Sequence, residues 1–69
     1  MTLHEAIVEV LKGKPGRRAH IEDIVDAIRT KRLYRRGDGD APPRKQVSAR
    51  IGQYPHLFRR LGDGVIGLM

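Results

Sequence analysis

Residues 58–68 read Phe58-Arg59-Arg60-Leu61-Gly62-Asp63-Gly64-Val65-Ile66-Gly67-Leu68. Two short runs, Phe58 to Leu61 and Val65 to Leu68, flank Gly62-Asp63-Gly64. That triplet predicts a three-residue hairpin loop, because glycine takes a left-handed position without steric cost. Ile66 and Leu68 alternate onto one face of the second strand. A lone hairpin decides little. What decides the fold is the set of segments it follows.

Immediately upstream, a third helix is expected to start at Pro43, with proline in the first helical position. Val47, Ile51 and Tyr54 share its inward face; Lys45, Ser48, Ala49 and Gly52 point away, with Arg44 on the flank. The stretch from Gly37 to Pro43 is a loop, since its glycines and prolines exclude regular structure. Before it, a second helix begins near His20. Ile21, Ile24, Val25 and Ile28 form its apolar stripe, with Ala27 beside it. Glu22 and Asp23 suit the positive end of its dipole, and Arg29, Lys31 and Arg32 the negative end. Leu33 and Tyr34 are expected to fold back onto the core. Arg17-Arg18-Ala19 fits a short extended segment. The first helix opens on Thr2-Leu3-His4-Glu5, a capping box with Thr2 as the N-cap. Leu3, Ala6, Ile7, Val10 and Leu11 give its stripe, Gly13 ends it, and Pro15-Gly16 turns the chain. The order is helix, short strand, helix, helix, hairpin, which is the winged-helix order. The expected fold is mainly α with a small β-hairpin: three helices, a short strand and a C-terminal wing. Ile7, Ile28, Ile51 and Leu68, one from each inward stripe, are expected to be buried together.

Sixty-nine residues allow one small domain, spanning residues 1–69, whole or excised from a longer protein. There is no cysteine, so neither a disulfide nor a thiolate metal site can staple it. Only Tyr34, Tyr54 and Phe58 are aromatic, which makes the core mainly aliphatic. No apolar run approaches the ~20 residues needed to span a bilayer. The start, Thr-Leu-His-Glu, lacks the basic opening and apolar stretch of a secretory signal. A cytoplasmic location with the nucleoid is expected for a bacterial protein, and a nuclear one for a eukaryotic protein.

Charge is unevenly placed. Residues 1–30 carry five acids (Glu5, Glu9, Glu22, Asp23, Asp26) and five bases (Lys12, Lys14, Arg17, Arg18, Arg29). Residues 31–69 carry nine bases (Lys31, Arg32, Arg35, Arg36, Arg44, Lys45, Arg50, Arg59, Arg60) against three acids (Asp38, Asp40, Asp63), so the formal +6 lies wholly in that half. A balanced half joined to an arginine-rich half suits a protein with one face against a polyanion.

The segments Leu3 to Leu11, Ala19-His20-Ile21-Glu22-Asp23-Ile24, Pro43 with Val47-Ser48-Ala49, and Phe58 with Gly62-Asp63-Gly64-Val65-Ile66-Gly67-Leu68 resemble the HARE-type helix-turn-helix domain in order and spacing over nearly the whole chain. The resemblance implies a winged helix-turn-helix and a DNA-binding module, a type found in restriction endonucleases, helicases, chromatin regulators and the delta subunit of bacterial RNA polymerase. Two positions depart from the pattern. Arg32 stands where the family often has glycine, which predicts a mildly strained backbone there. Pro42 stands where a threonine or serine usually caps the third helix.

Double-stranded DNA is the expected partner. In a helix-turn-helix, the amino-terminal part of the recognition helix meets base edges in the major groove. Arg44 and Lys45 sit there, and either can read guanine O6 and N7. Ser48, Ala49 and Gly52 would offer a small surface for close approach. Arg59 and Arg60 lead into the wing and would meet phosphate from its flanks, since Asp63 at the tip repels it. Lys31, Arg32, Arg35 and Arg36 form a cationic run suited to the backbone, which positions without specifying. Each set has a plainer reading as solvated cations, helix-end cations or guards of an edge strand. Arg17 and Arg18 are weaker candidates, and Arg50 is expected to cover core with its methylenes. An alternative function is a protein-interaction winged helix docking on RNA polymerase or a chromatin partner. RNA is disfavoured, because single-strand recognition leans on stacking and only Tyr34 offers a platform. His4, His20 and His56 have neither metal-ligand spacing nor a carboxylate partner. His20 fits a helix start and His4 a solvent face. No phosphate loop or nucleophile signature appears. No catalytic residue, metal or cofactor is therefore assigned, although fusion to a nuclease or helicase domain fits such a module.

Overall fold

In the computed structural model, which describes residues 1–34 and 41–69, Thr2 caps the first helix as its sequence predicts. The Glu5 amide donates to Thr2 Oγ1 at 3.3 Å while the Thr2 amide donates to Glu5 Oε1 at 2.7 Å, closing the capping box of α1 (Leu3–Lys12). Gly13 ends α1, and a single turn of 3-10 helix over Pro15–Arg17 leads into β1 (Arg18–His20). His20 then serves as the N-cap of α2 (Ile21–Lys31), its Nδ1 accepting from the Glu22 amide at 3.1 Å. At the other end Arg32 adopts φ 53°, ψ 41°. There the Arg32 amide donates to the Arg29 carbonyl at 3.3 Å and the Leu33 amide to the Ile28 carbonyl at 3.1 Å. That pair of bonds is a Schellman closure, with arginine in the position that favours glycine.

The third helix differs from expectation by one residue. α3 runs Arg44–Gly52, and Pro43 is its N-cap, with ψ 160°, not its first helical residue. A proline φ suits both positions; it is the extended ψ that leaves Pro43 outside the helix. Among the described residues no side chain caps α3. With Pro42 and Pro43 unable to cap, the sequence leaves Asp40 or a DNA phosphate as acceptor for the first amides of α3, and Asp40 lies outside the described residues.

The chain closes with β2 (Phe58–Gly62) and β3 (Val65–Leu68). Gly62 belongs to β2, so only Asp63 and Gly64 form the turn, and a bulge between Arg60 and Gly62 absorbs the difference. Gly62, Asp63 and Gly64 all have positive φ, at 97°, 52° and 79°. The strand order is β1-β3-β2, all antiparallel, so β3 is central. The architecture is three helices with a three-stranded antiparallel sheet, in an order compatible with a winged-helix layout.

Leu3, Ile7, Leu11, Ile24, Ile28, Val47, Ile51, Phe58 and Ile66 are buried in one cluster that joins every helix to the sheet. Three of the four residues expected at its centre are there. Leu68 is only half-buried, and Ile66 fills the place expected of it. Both lie on the inner face of β3, but Ile66 is paired on both sides, by Ala19 and Arg60, whereas Leu68 is paired only with Phe58. His4 also departs from expectation: it does not lie on an open solvent face but stacks on Tyr54, with ring centroids 4.2 Å apart.

Candidate nucleic-acid interface

The sheet register separates the two wing arginines. Residues paired across strands share a face of the sheet. Arg18, Gly67 and Arg59 form one cross-strand row, and Ala19, Ile66 and Arg60 the next. Ile66 is buried, so Arg60 lies on the face turned toward the helices, while Arg59 lies on the outer face with Arg18. Strand alternation thus sends Arg59 and Arg60, both expected to serve the flanks of the wing, to opposite sides of the sheet.

Arg60 reaches across to α3. Its Nη2 donates to the Ser48 carbonyl at 3.0 Å and lies 3.5 Å from Ser48 Oγ. A side chain at Gly52 would come within 3.7 Å of the same nitrogen. The small surface expected of Ser48, Ala49 and Gly52 is therefore partly covered by a guanidinium. Ala49 and Gly52 remain exposed, and Ser48 is half-buried.

Arg44 and Lys45 stand exposed in the first turn of α3, as the helical spacing predicts. Together with Ser48 and Arg60 they border an open cleft of about 430 Å³, floored by Ile21, Gly64 and Ile66. The cleft lies where the starts of α2 and α3 meet the wing. It is cationic on the α3 and β2 sides, where Arg44 forms an ion pair with Glu22, Nε to Oε1 2.8 Å, both side chains being about three-fifths exposed (61% and 59%). This pairing was not legible in the sequence, where Glu22 fits the dipole of its own helix. Nothing local couples the start of α2 to the start of α3.

The floor of the cleft is rigidly tied. The Ile21 amide donates to the Gly64 carbonyl at 2.8 Å, which binds the wing turn to the start of α2. A Cβ at Gly64 would sit 2.5 Å from His20 Nε2, closer than real Cβ contacts come, so only glycine fits. His20 thus holds the Glu22 amide with one nitrogen and abuts Gly64 with the other. Its expected place at a helix start is borne out, and its capping of α2 was visible only once the helix boundary was known.

Lys31 and Arg32 are exposed at the end of α2. Arg35 and Arg36, the rest of that expected run, lie outside the described residues. Arg50 is half-buried, in keeping with a side chain laid along apolar surface. Among the described residues no group of three or more His, Asp or Glu could hold a metal ion, and no helix is long and apolar enough to cross a membrane. Comparison with protein-family models, curated proteins and solved structures finds no match to this chain.

Proposed function

We propose that the chain is a winged helix-turn-helix that binds double-stranded DNA, with the start of α3 in the major groove and the basic wing and loop on the phosphate backbone. The observation that carries this reading is the convergence of Arg44, Lys45 and Arg60 on one open cleft at the start of α3. A helix start offers an anion its first-turn amides and the positive pole of its dipole. Arg44 and Lys45 are the base-reading candidates. Arg60, braced on Ser48, meets the backbone, and Lys31 and Arg32 extend the cationic margin; Arg35 and Arg36 are proposed to continue it. Arg59, on the outer sheet face with Arg18, is left to a phosphate contact only at the edge of the footprint. No catalytic role is assigned to the domain, and fusion to an enzymatic domain remains compatible with it. HARE-type family membership and the associated roles in transcription regulation or restriction-modification belong to this same proposal.

The test is an anisotropy titration against duplex DNA, single-stranded DNA and RNA across a range of salt. With ~4–5 phosphates neutralised, log affinity against log salt for duplex should slope at roughly −4. Duplex should be preferred over RNA, since the described aromatic side chains are half-buried or buried and offer poor stacking platforms. A salt-independent affinity for a protein partner, without duplex binding near micromolar concentration at low salt, would replace this reading by the protein-docking one.

A further inference from the structure

We infer that Glu22 is a positioning residue for Arg44, and that the pair makes the cleft prefer a guanine at the base step facing the start of α3. This inference rests on the duplex-binding reading of the cleft. Its basis is which nitrogen Glu22 engages. Among the guanidinium nitrogens of Arg44 it is Nε that pairs with Oε1, at 2.8 Å, so the ion pair falls on the side of the group rather than at its tip. Bidentate recognition of guanine O6 and N7 needs two parallel N–H donors from one rigid fork. A pairing on the Nε side leaves the two terminal nitrogens to supply that fork.

Glu22 is itself well placed to hold a partner. His20 Nδ1 accepts from its amide at 3.1 Å, and the neighbouring Ile21 amide donates to the Gly64 carbonyl at 2.8 Å. The carboxylate therefore projects from a backbone pinned on both the strand and the wing side. An exposed arginine otherwise loses rotamer freedom when it docks, and a side chain ordered beforehand loses less. The charge of Glu22 has a second effect. A phosphate approaching Arg44 would meet a carboxylate beside it, whereas a guanine edge offers acceptors without a formal charge. Glu22 thus disfavours the unspecific contact that Arg44 alone would make. As an exposed ion pair the contact adds little to stability; its effect lies in what Arg44 is free to bind.

The experiment begins with selection of a preferred duplex from a randomised pool by the wild-type chain. Affinities for that duplex, for a scrambled one, and for the preferred duplex carrying 7-deazaguanine are then measured for wild type, Glu22→Gln and Glu22→Ala. Glu22→Gln keeps the shape and removes the charge. It should lower the ratio of preferred to scrambled affinity by about tenfold, while scrambled affinity holds or rises and the melting temperature stays put. Replacing guanine by 7-deazaguanine at one position should weaken wild type markedly and the two variants less. In an Arg44→Ala background the Glu22 substitutions should leave the ratio unchanged, since the residue acts through Arg44. An equal gain for both duplexes, an unchanged ratio, or indifference to 7-deazaguanine overturns the inference and leaves duplex binding standing. So does a wild type that binds duplex without any base preference. Absence of duplex binding overturns both.

Discussion

Arg32 carries two separable roles in one side chain and one backbone. Its αL conformation closes the Schellman motif of α2, a position where a Cβ is crowded against the following carbonyl. Its guanidinium belongs to the exposed cationic margin proposed to meet DNA. Arg32→Gly should therefore raise stability by about 1 kcal/mol, read as a higher denaturant midpoint with unchanged slope. The same variant should weaken duplex binding and flatten the salt dependence by up to ~1 unit if the side chain meets phosphate. A loss of stability would mean that the guanidinium, and not the backbone, secures this corner. Asp63, also at positive φ (52°), is less anomalous, since aspartate visits that region more readily than arginine.

At the scale of elements, α1 rests on a reciprocal cap whose charge can be removed. The Glu5 carboxyl is held below its ordinary value, first by the Thr2 backbone amide and then by the Thr2 hydroxyl. A carboxyl with a depressed folded-state value stabilises the fold above its unfolded-state value and ceases to do so as pH falls through the folded one. The melting temperatures of wild type and Glu5→Gln should accordingly differ near neutrality and converge in acid below the carboxylate range. A gap that persists in acid would show that Gln disturbs α1 by another route. This cap was legible in the sequence because both partners lie within one turn, and so were the stripes of α1 and α2, which depend only on helical spacing. The start of α3 was misjudged by one residue because proline fits either side of the boundary. The divergence of Arg59 and Arg60 follows from strand alternation, but which of them faces the helices follows only once Phe58 is known to point inward. The Glu22–Arg44 pair and the His4–Tyr54 stack join residues far apart in the chain, so they depend on the path of the whole fold.

For the molecule as a whole, the described residues gather into one mainly aliphatic cluster with few residues to spare. Ile51 is 2% exposed and joins α3 to that cluster. Ile51→Ala should cost ~2–5 kcal/mol, a large part of what a small domain has, measured by chemical denaturation. Because α3 carries the proposed reading face, duplex affinity should fall with it at temperatures where the variant begins to melt; a loss below ~1 kcal/mol would mean that α3 is held by something other than its packing. The strand order has a different consequence, one of time. β3 is the central strand, yet it follows the other two in the chain, and β1 and β2 have no pairing with each other. A ribosome adding ~5–20 residues per second releases all three helices before the segment that joins the strands. Until Leu68 has cleared the exit tunnel, the nascent domain can gather its helices but has no sheet. Of the described elements, the wing, and with it the floor of the cleft, is the last to come into being.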